Sequence, residues 1–335
     1  MDWSQMKNWF GGQAMLRTLY LLFLGQLVSF VLALASFTSS LLAKLGVDCP
    51  VTQSSLTYFS LALVYGSILL HRRQKLQISW YWYLLLGFVD VQGNYLYNQA
   101  YQYTSITSVS LLDCWTIPWV IILTWVFIRS RYSIWQLCGA AFCVLGLGVV
   151  LLSDVGVGGG GGSRPLVGDS LVVAATVFFA MSNVGEEFCV RKRDRIEVVS
   201  MIGVYGFLVT AVESSILEFK SLESISWSGE IILAAAGYAL SMFMFYSLAP
   251  VVLEGSGSTM FNLSILTSDM WVVVIRIFVY RQQVDWLYYL ALALVAVGLI
   301  IYSTNDKEPL PVVIPAPEDG AEYHPINDEV APSRL

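Results

Sequence analysis

Runs of about 20 mostly apolar residues, long enough as α-helix to cross a ~30 Å hydrocarbon core, recur along this chain from one end to the other. They lie near 18–41, 52–70, 79–101, 105–128, 133–152, 169–190, 198–219, 230–248, 257–280 and 285–303. In lipid each backbone polar group has to be paired within its own segment, so runs like these predict helices. The composition fits. Of 335 residues, 56% are hydrophobic and only 13% are charged, where a soluble domain carries about 25% charged residues. The 11 Trp, 18 Tyr and 17 Phe suit a protein with two bilayer interfaces, where aromatic residues collect.

The runs also repeat. Ser105 falls on Ser256, Thr107 on Ser258, Ser108 on Thr259, Leu112 on Leu263, Thr116 on Thr267, Phe127 on Phe278 and Trp135 on Trp286, each pair 151 apart. The same shift carries span starts 18, 79 and 133 to 169, 230 and 284, close to the starts of spans six, eight and ten. Five spans per half is an odd number, so the second half enters the bilayer from the opposite side. Inverted repeats of this kind build secondary transporters, with the solute held where the repeats meet. The expected fold is an all-α membrane protein of ten transmembrane helices in two inverted five-helix repeats. A short N-terminus (1–17) precedes repeat one (18–152). A Gly-rich linker (153–168) joins it to repeat two (169–303), and an acidic Pro-rich tail (304–335) follows.

Basic residues set the orientation. Arg72, Arg73 and Lys75 follow span two, Arg129 and Arg131 follow span four, and Arg191, Lys192, Arg193 and Arg195 follow span six. With Lys7 and Arg17 they share one side, which is expected to be cytosolic and to hold both termini. The opposite loops carry Lys44, Arg164 and Lys220 among acids; Arg276 and Arg281 run against the trend and are expected to snorkel. The membrane is expected to be an endomembrane (Golgi, endoplasmic reticulum or vacuole) or the plasma membrane. The first run is too long for a cleavable signal and is expected to remain as a span. The tail is expected to be disordered, and its Tyr323-His324-Pro325-Ile326 matches a short sorting pattern.

Polar residues inside such spans are expensive and mark function by default. Span three carries Asp90, Asn94 and Asn98, four apart on one face. They line either a wet cavity or a helix–helix hydrogen-bond seam. Span four carries Asp113, Trp115 and Thr116 ahead of Pro118, which opens the helical ladder. In span six Asn183, Glu186 and Glu187 sit about a turn apart at the cytosolic mouth. They are read either as a gate or as interfacial acids paired with Arg191 or Lys192; Glu213 is a lesser candidate. Span nine has Asn262, Asp269 and Arg276 seven apart, and Asp269 falls on Pro118 under the shift. Asp113 and Asp269 are the expected charged contacts, Asn94, Asn183 and Asn262 the hydrogen-bonding partners, and Trp115 a stacking surface.

Several chemistries lack their parts. The only histidines, His71 and His324, lie outside the spans, so intramembrane hydrolysis and zinc chemistry are not expected. No phosphate-binding Gly-rich loop ends in Lys-Ser or Lys-Thr, so ATP is not expected as the energy source. The five cysteines show neither a disulfide framework nor a metal spacing. No cofactor, metal or enzymatic activity is expected, and a net charge of −6 implies no nucleic-acid partner. The expected partners are a small-molecule solute and the lipid bilayer, with a homodimer as a further option. Deep charges are acidic, which favours neutral or cationic solutes over a pyrophosphate.

The segments AYQYTSITSVSLLDCWTIPWVIILTW, LVGDSLVVAATVFFAMSNVGEEF and SGSTMFNLSILTSDMW resemble the F-type branch of solute carrier family 35, in its plant-type anthocyanin-related group, within the drug/metabolite transporter superfamily. The resemblance covers about residues 18–303. It implies ten helices in two inverted repeats with cytosolic termini. Many members of the wider family exchange nucleotide sugars for nucleotide monophosphates. It singles out Asp113 with Cys114 and Pro118, Asn183 with Glu186 and Glu187, and Asn262 with Asp269. Two functions follow as expectations: a carrier of a nucleoside-like neutral or cationic heterocycle, and a nucleotide-sugar exchanger. A scaffold or receptor that moves nothing is the third, recognisable by a dry, filled midplane.

Overall fold

A computed structural model describes residues 12–73, 79–104, 109, 112–113, 115–156, 165–225, 227–268, 270–271 and 286–304. Asp269, Cys114, Arg276, Arg281, half of the Gly-rich linker (157–164) and the tail with Tyr323–Ile326 lie outside them. Every regular element among the described residues is helical. In order these are α1 Gly12–Lys44, α2 Pro50–Arg72, α3 Trp80–Ala100, α4 Thr116–Leu123 with a π-helical turn Thr124–Ile128, and α5 Ile134–Gly156. There follow α6 Pro165–Val190, α7 Arg195–Leu217, the short α8 Phe219–Ser224, α9 Gly229–Ile265 and α10 Trp286–Thr304. Five of them, α1, α2, α6, α7 and α9, are long and apolar enough to cross a membrane, and shorter apolar stretches lie in α4 with its π turn, α5 and α10.

Two expected spans differ in form. Span four does not run unbroken through 105–128. Residues 112–113 are helical, but Trp115 sits in a turn whose N–H reaches back only three residues to Leu112 (3.0 Å), and α4 begins afterwards. Pro118, which lacks an N–H, thus stands in the first turn of a new helix, where that loss costs least. Spans eight and nine, expected to be separate, follow one another without a loop as the two parts of α9, divided at Gly257. Pro250 lies inside α9 without ending it, and the break comes at Gly257, with φ 81 and ψ 167. That conformation is essentially confined to glycine.

Large apolar side chains point outward from these helices: Leu233 is 76% exposed, Phe23 67% and Leu240 65%. Water would make such a surface aggregate; lipid makes it the ordinary one. With no hydrophobic drive between helices in lipid, close packing has to hold them, and glycines permit it. A Cβ on Gly139 of α5 would stand 2.8 Å from the carbonyl oxygen of Gly298 on α10, and one on Gly203 of α7 would stand 2.6 Å from the backbone nitrogen of Ala62 on α2.

The α2–α7 pair is tied at both ends. At one end Arg72 meets Asp194 at 2.9 Å, and Asp194 also caps α7 by accepting the N–H of Ile196. At the other, Glu218 accepts the N–H groups of Val51 (2.7 Å) and Thr52 (2.8 Å) and the Thr52 hydroxyl (2.7 Å). The N-cap residue of α2, Cys49, makes no side-chain capping bond, so a carboxylate from the partner helix satisfies these first-turn donors. Elsewhere α1 packs on α9, α3 on α6 and α7, α4 on α6, α9 on α2 and α6, and α5 on α10.

Candidate functional site

A cavity of about 90 Å³ opens between α1, α3, α6 and α9, with room for roughly half a dozen waters at ~10–15 Å³ each. Its polar lining runs from Glu186, one turn before the end of α6, past Asp90, halfway along α3, towards Asn98, Tyr101 and Ser39. Asp113 and Thr116 border it from the start of α4, and Asn262 and Ser268 from the far side of the Gly257 break. Phe179, Phe245 and Tyr97 give it flat apolar walls. Among the described residues, no lysine, arginine or histidine lines it.

Asp90 sits halfway along α3 and is 5% exposed. Tyr58 of α2 donates to its Oδ2 at 2.6 Å, Tyr246 of α9 donates to the same oxygen, and Ser182 of α6 donates to Oδ1 at 2.8 Å. Asn94, one turn on, donates its amide to both tyrosine hydroxyls at 3.0 Å. Asn98, a further turn on, donates to Tyr238 at 3.3 Å and accepts from Ser39 at 3.2 Å. The four-residue spacing read in the sequence therefore places all three on one face of α3, where cavity and helix–helix seam are combined.

On α6, Asn183 donates to the side-chain oxygen of Asn262 at 2.9 Å, and Asn262 donates to the carbonyl of Ser258 at 2.7 Å. Glu186 lines the cavity, whereas Glu187 points elsewhere. Glu187 pairs with Arg191 at 2.6 Å and accepts the N–H of Ser258 at 2.7 Å. It therefore caps the helical segment that restarts after Gly257. Adjacent helix positions are ~100° apart, so neighbouring glutamates serve different partners.

Asp113 accepts from the Thr116 hydroxyl at 3.3 Å. Trp115 is 53% exposed and lies outside the lining. Asp269 lies outside the described residues. Gln92 donates to Glu213 between α3 and α7, away from the cavity.

The tyrosines were missed. Tyr58, Tyr238 and Tyr246 are all under 5% exposed and hold the polar stripe of α3. A count of aromatic residues does not single out their hydroxyls. The signal available was Tyr238 and Tyr246 two turns apart inside one apolar run, where a hydroxyl needs a partner.

A family model described as "Solute carrier family 35", of the F type, matches residues 14–304. The mouse protein named solute carrier family 35 member F2 is 36% identical over 291 residues, covering 84% of this chain and 78% of its own. The Xenopus tropicalis protein of the same name is 34% identical over 296 residues, covering 84% and 76%. An uncharacterized family 35 member of Schizosaccharomyces pombe is 33% identical over 288 residues, covering 84% of this chain and 57% of its own. Among solved structures, a crystal structure at 17% identity superposes with a TM-score of 0.67 over 85% of this chain and 95% of that one, a likeness of fold. With apolar helices, an apolar outer surface and a family match over most of its length, the chain is a multi-pass integral membrane protein belonging to the F branch of solute carrier family 35.

Proposed function

We propose that this protein is a secondary transporter that carries a small neutral or cationic heterocycle, nucleoside-like in size and flatness, by alternating access. The observation behind this is the cavity itself: acids and amides beside flat aromatic walls, with no basic side chain among its described lining. Such a lining attracts positive charge and donors and repels phosphates. Asp113, Glu186, Asn94, Asn98, Asn183 and Asn262 are the proposed contacts within it, with Asp90 holding the helices that carry them. Asp269 and Trp115 stay candidates from the sequence, and Glu187 a candidate gate.

The proposed framework is ten spans in two inverted repeats with both termini in the cytosol. Support comes from helix packing. Let α1, α2, α3, α4 and α5 be exchanged with α6, α7, the first part of α9, the part after Gly257, and α10. The α1–α9 contact then becomes α6 with α3 and α4, α3–α7 becomes α9–α2, and α2–α7 and α5–α10 map onto themselves. An in-plane twofold axis produces that symmetry.

Uptake of labelled nucleosides and nucleobases by vesicles of purified protein tests the reading. Saturable uptake is the expected result, lowered by Asp113→Asn or Asp269→Asn. Full activity in both variants removes those two residues from the mechanism, and absence of uptake for every neutral and cationic heterocycle removes the proposal. Family membership favours the nucleotide-sugar exchanger as a second reading, and stimulation of efflux by an opposing nucleotide monophosphate decides for it. A scaffold that moves nothing is disfavoured by the cavity, which a filled midplane would lack.

A further inference from the structure

Among the described residues three carboxyls border the cavity, and they are not equivalent. Asp90 is met by three hydroxyls on its two oxygens. Asp113 is met by the Thr116 hydroxyl. Glu186 is 4% exposed and its Oε1 has no hydrogen-bond partner. The basic residues just beyond it are engaged with other groups. Arg191 holds Glu187 at 2.6 Å, Lys192 lies over the Phe188 ring at 3.9 Å, and Arg195 meets Glu254 at 2.8 Å. A carboxyl withdrawn from water with an oxygen left over is costly unless positive charge reaches it, and no cation of the described lining does so.

Resting on the transporter reading above, we propose that Glu186 is where the cavity takes up and releases one positive charge, carried by a proton or by a protonated nitrogen of the cargo. Both put a donor hydrogen on Oε1, which meets none among the described residues. Phe179, two turns before Glu186 on α6, and Phe245 on α9 line the same space, aromatic faces of the kind that attract a flat cation of the amidine or aminoheterocycle class. Asn183, anchored on Asn262, lies one turn from Glu186 and offers polar atoms to the rest of that edge. Asp90 has a different part: saturated by Tyr58, Tyr246 and Ser182, it is scaffold. The titratable groups around Glu186 are Asp90 on α3, Tyr246 on α9, Asp113 ahead of α4, Glu197 on α7, and Cys189 and Lys192 beyond it on its own side.

Carbodiimide labelling of the full-length protein in lipid nanodiscs tests this without knowledge of the cargo. Dicyclohexylcarbodiimide adds across a protonated carboxyl: the acid O–H adds to one C=N bond, nothing leaves, and rearrangement gives a stable N-acylurea heavier by the whole reagent. Peptide mass spectrometry should find the adduct on Glu186 at several times its level on Asp90. It should fall as pH rises and vanish in Glu186→Gln, whose melting temperature should match the parent. Benzamidinium and neutral benzamide separate the two sources of charge. Protection by the first alone means that cargo cation and proton share Glu186. Protection by neither, with the pH dependence intact, assigns Glu186 to the proton. An adduct mainly on Asp90, no adduct on Glu186, or labelling independent of pH overturns the proposal. None of these readouts needs transport, so vesicles that take up no solute refute the transporter reading separately.

Discussion

Replacing Asp90 by alanine removes the acceptor of three buried donors: the hydroxyls of Tyr58, Tyr246 and Ser182. The two tyrosine oxygens are 3.2 Å apart, so one can donate to the other, and one tyrosine and one serine donor are left without a partner. A buried orphan donor costs about 1–3 kcal/mol, which puts the loss at ~2–6 kcal/mol. Serine can turn to the carbonyl one turn back, and hydrogen bonds inside membranes average only ~0.6 kcal/mol, which draws the figure to the lower part of that range. Relief from burying the carboxyl itself works in the same direction. The expected loss for Asp90→Ala is therefore about 2–4 kcal/mol, with about 1 kcal/mol for Asp90→Asn, which keeps one acceptor oxygen. Reversible unfolding in mixed micelles titrated with sodium dodecyl sulfate measures both. A cycle with Tyr58→Phe should show coupling, because each variant breaks the same bond. Asp90→Ala within ~0.5 kcal/mol of the parent, or Asp90→Asn as damaging as alanine, would refute the reasoning.

Glu218→Ala should cost about 1–2 kcal/mol in the same titration, because the orphan N–H groups of Val51 and Thr52 lose a charged cap; a change confined to the α8 region in hydrogen exchange would contradict this. Gly203→Val should prevent α2 and α7 from closing, since even its Cβ would lie 2.6 Å from the Ala62 nitrogen; the readout is loss of a monodisperse peak in size-exclusion chromatography. Burial, with the charges of Glu218 and Asp48 nearby, pushes the Cys49 thiol up to about 11. Its thiolate is therefore scarce near neutral pH, and a water-soluble maleimide should label it slowly in the folded protein. The rate should climb about tenfold per pH unit below that value, and labelling should become fast after denaturation.

Much of this was legible in one dimension because lipid simplifies the problem. Apolar length alone located α1, α2, α6 and α7 to within a few residues. The i, i+4 spacing of Asp90, Asn94 and Asn98 placed them on one face of α3 before any partner was known. Partners are a different matter, since they come from helices far away in sequence. Nothing local says that Tyr58 and Tyr246, 188 residues apart, close on one carboxyl. Nor does composition separate Glu186 from Glu187; the distinction arises because successive side chains on a helix diverge by ~100°. Sequence alone does not separate Pro118 from Pro250 either. One begins a helix after a tight turn and the other is absorbed inside one, and the neighbouring packing decides which.

The grip on Asp90 also bears on how the molecule moves. Its three hydroxyls come from α2, α6 and α9, so one side chain of α3 gathers helices from both halves of the sequence around a single point. Two blocks cut at the central linker could not swing apart without tearing the Ser182 and Tyr246 bonds, two of the three, from a buried place. If the protein alternates, Asp90 is the hinge pin that stays still, and the swing falls to segments that pin does not hold: α1, the start of α4, and the stretch beyond Gly257.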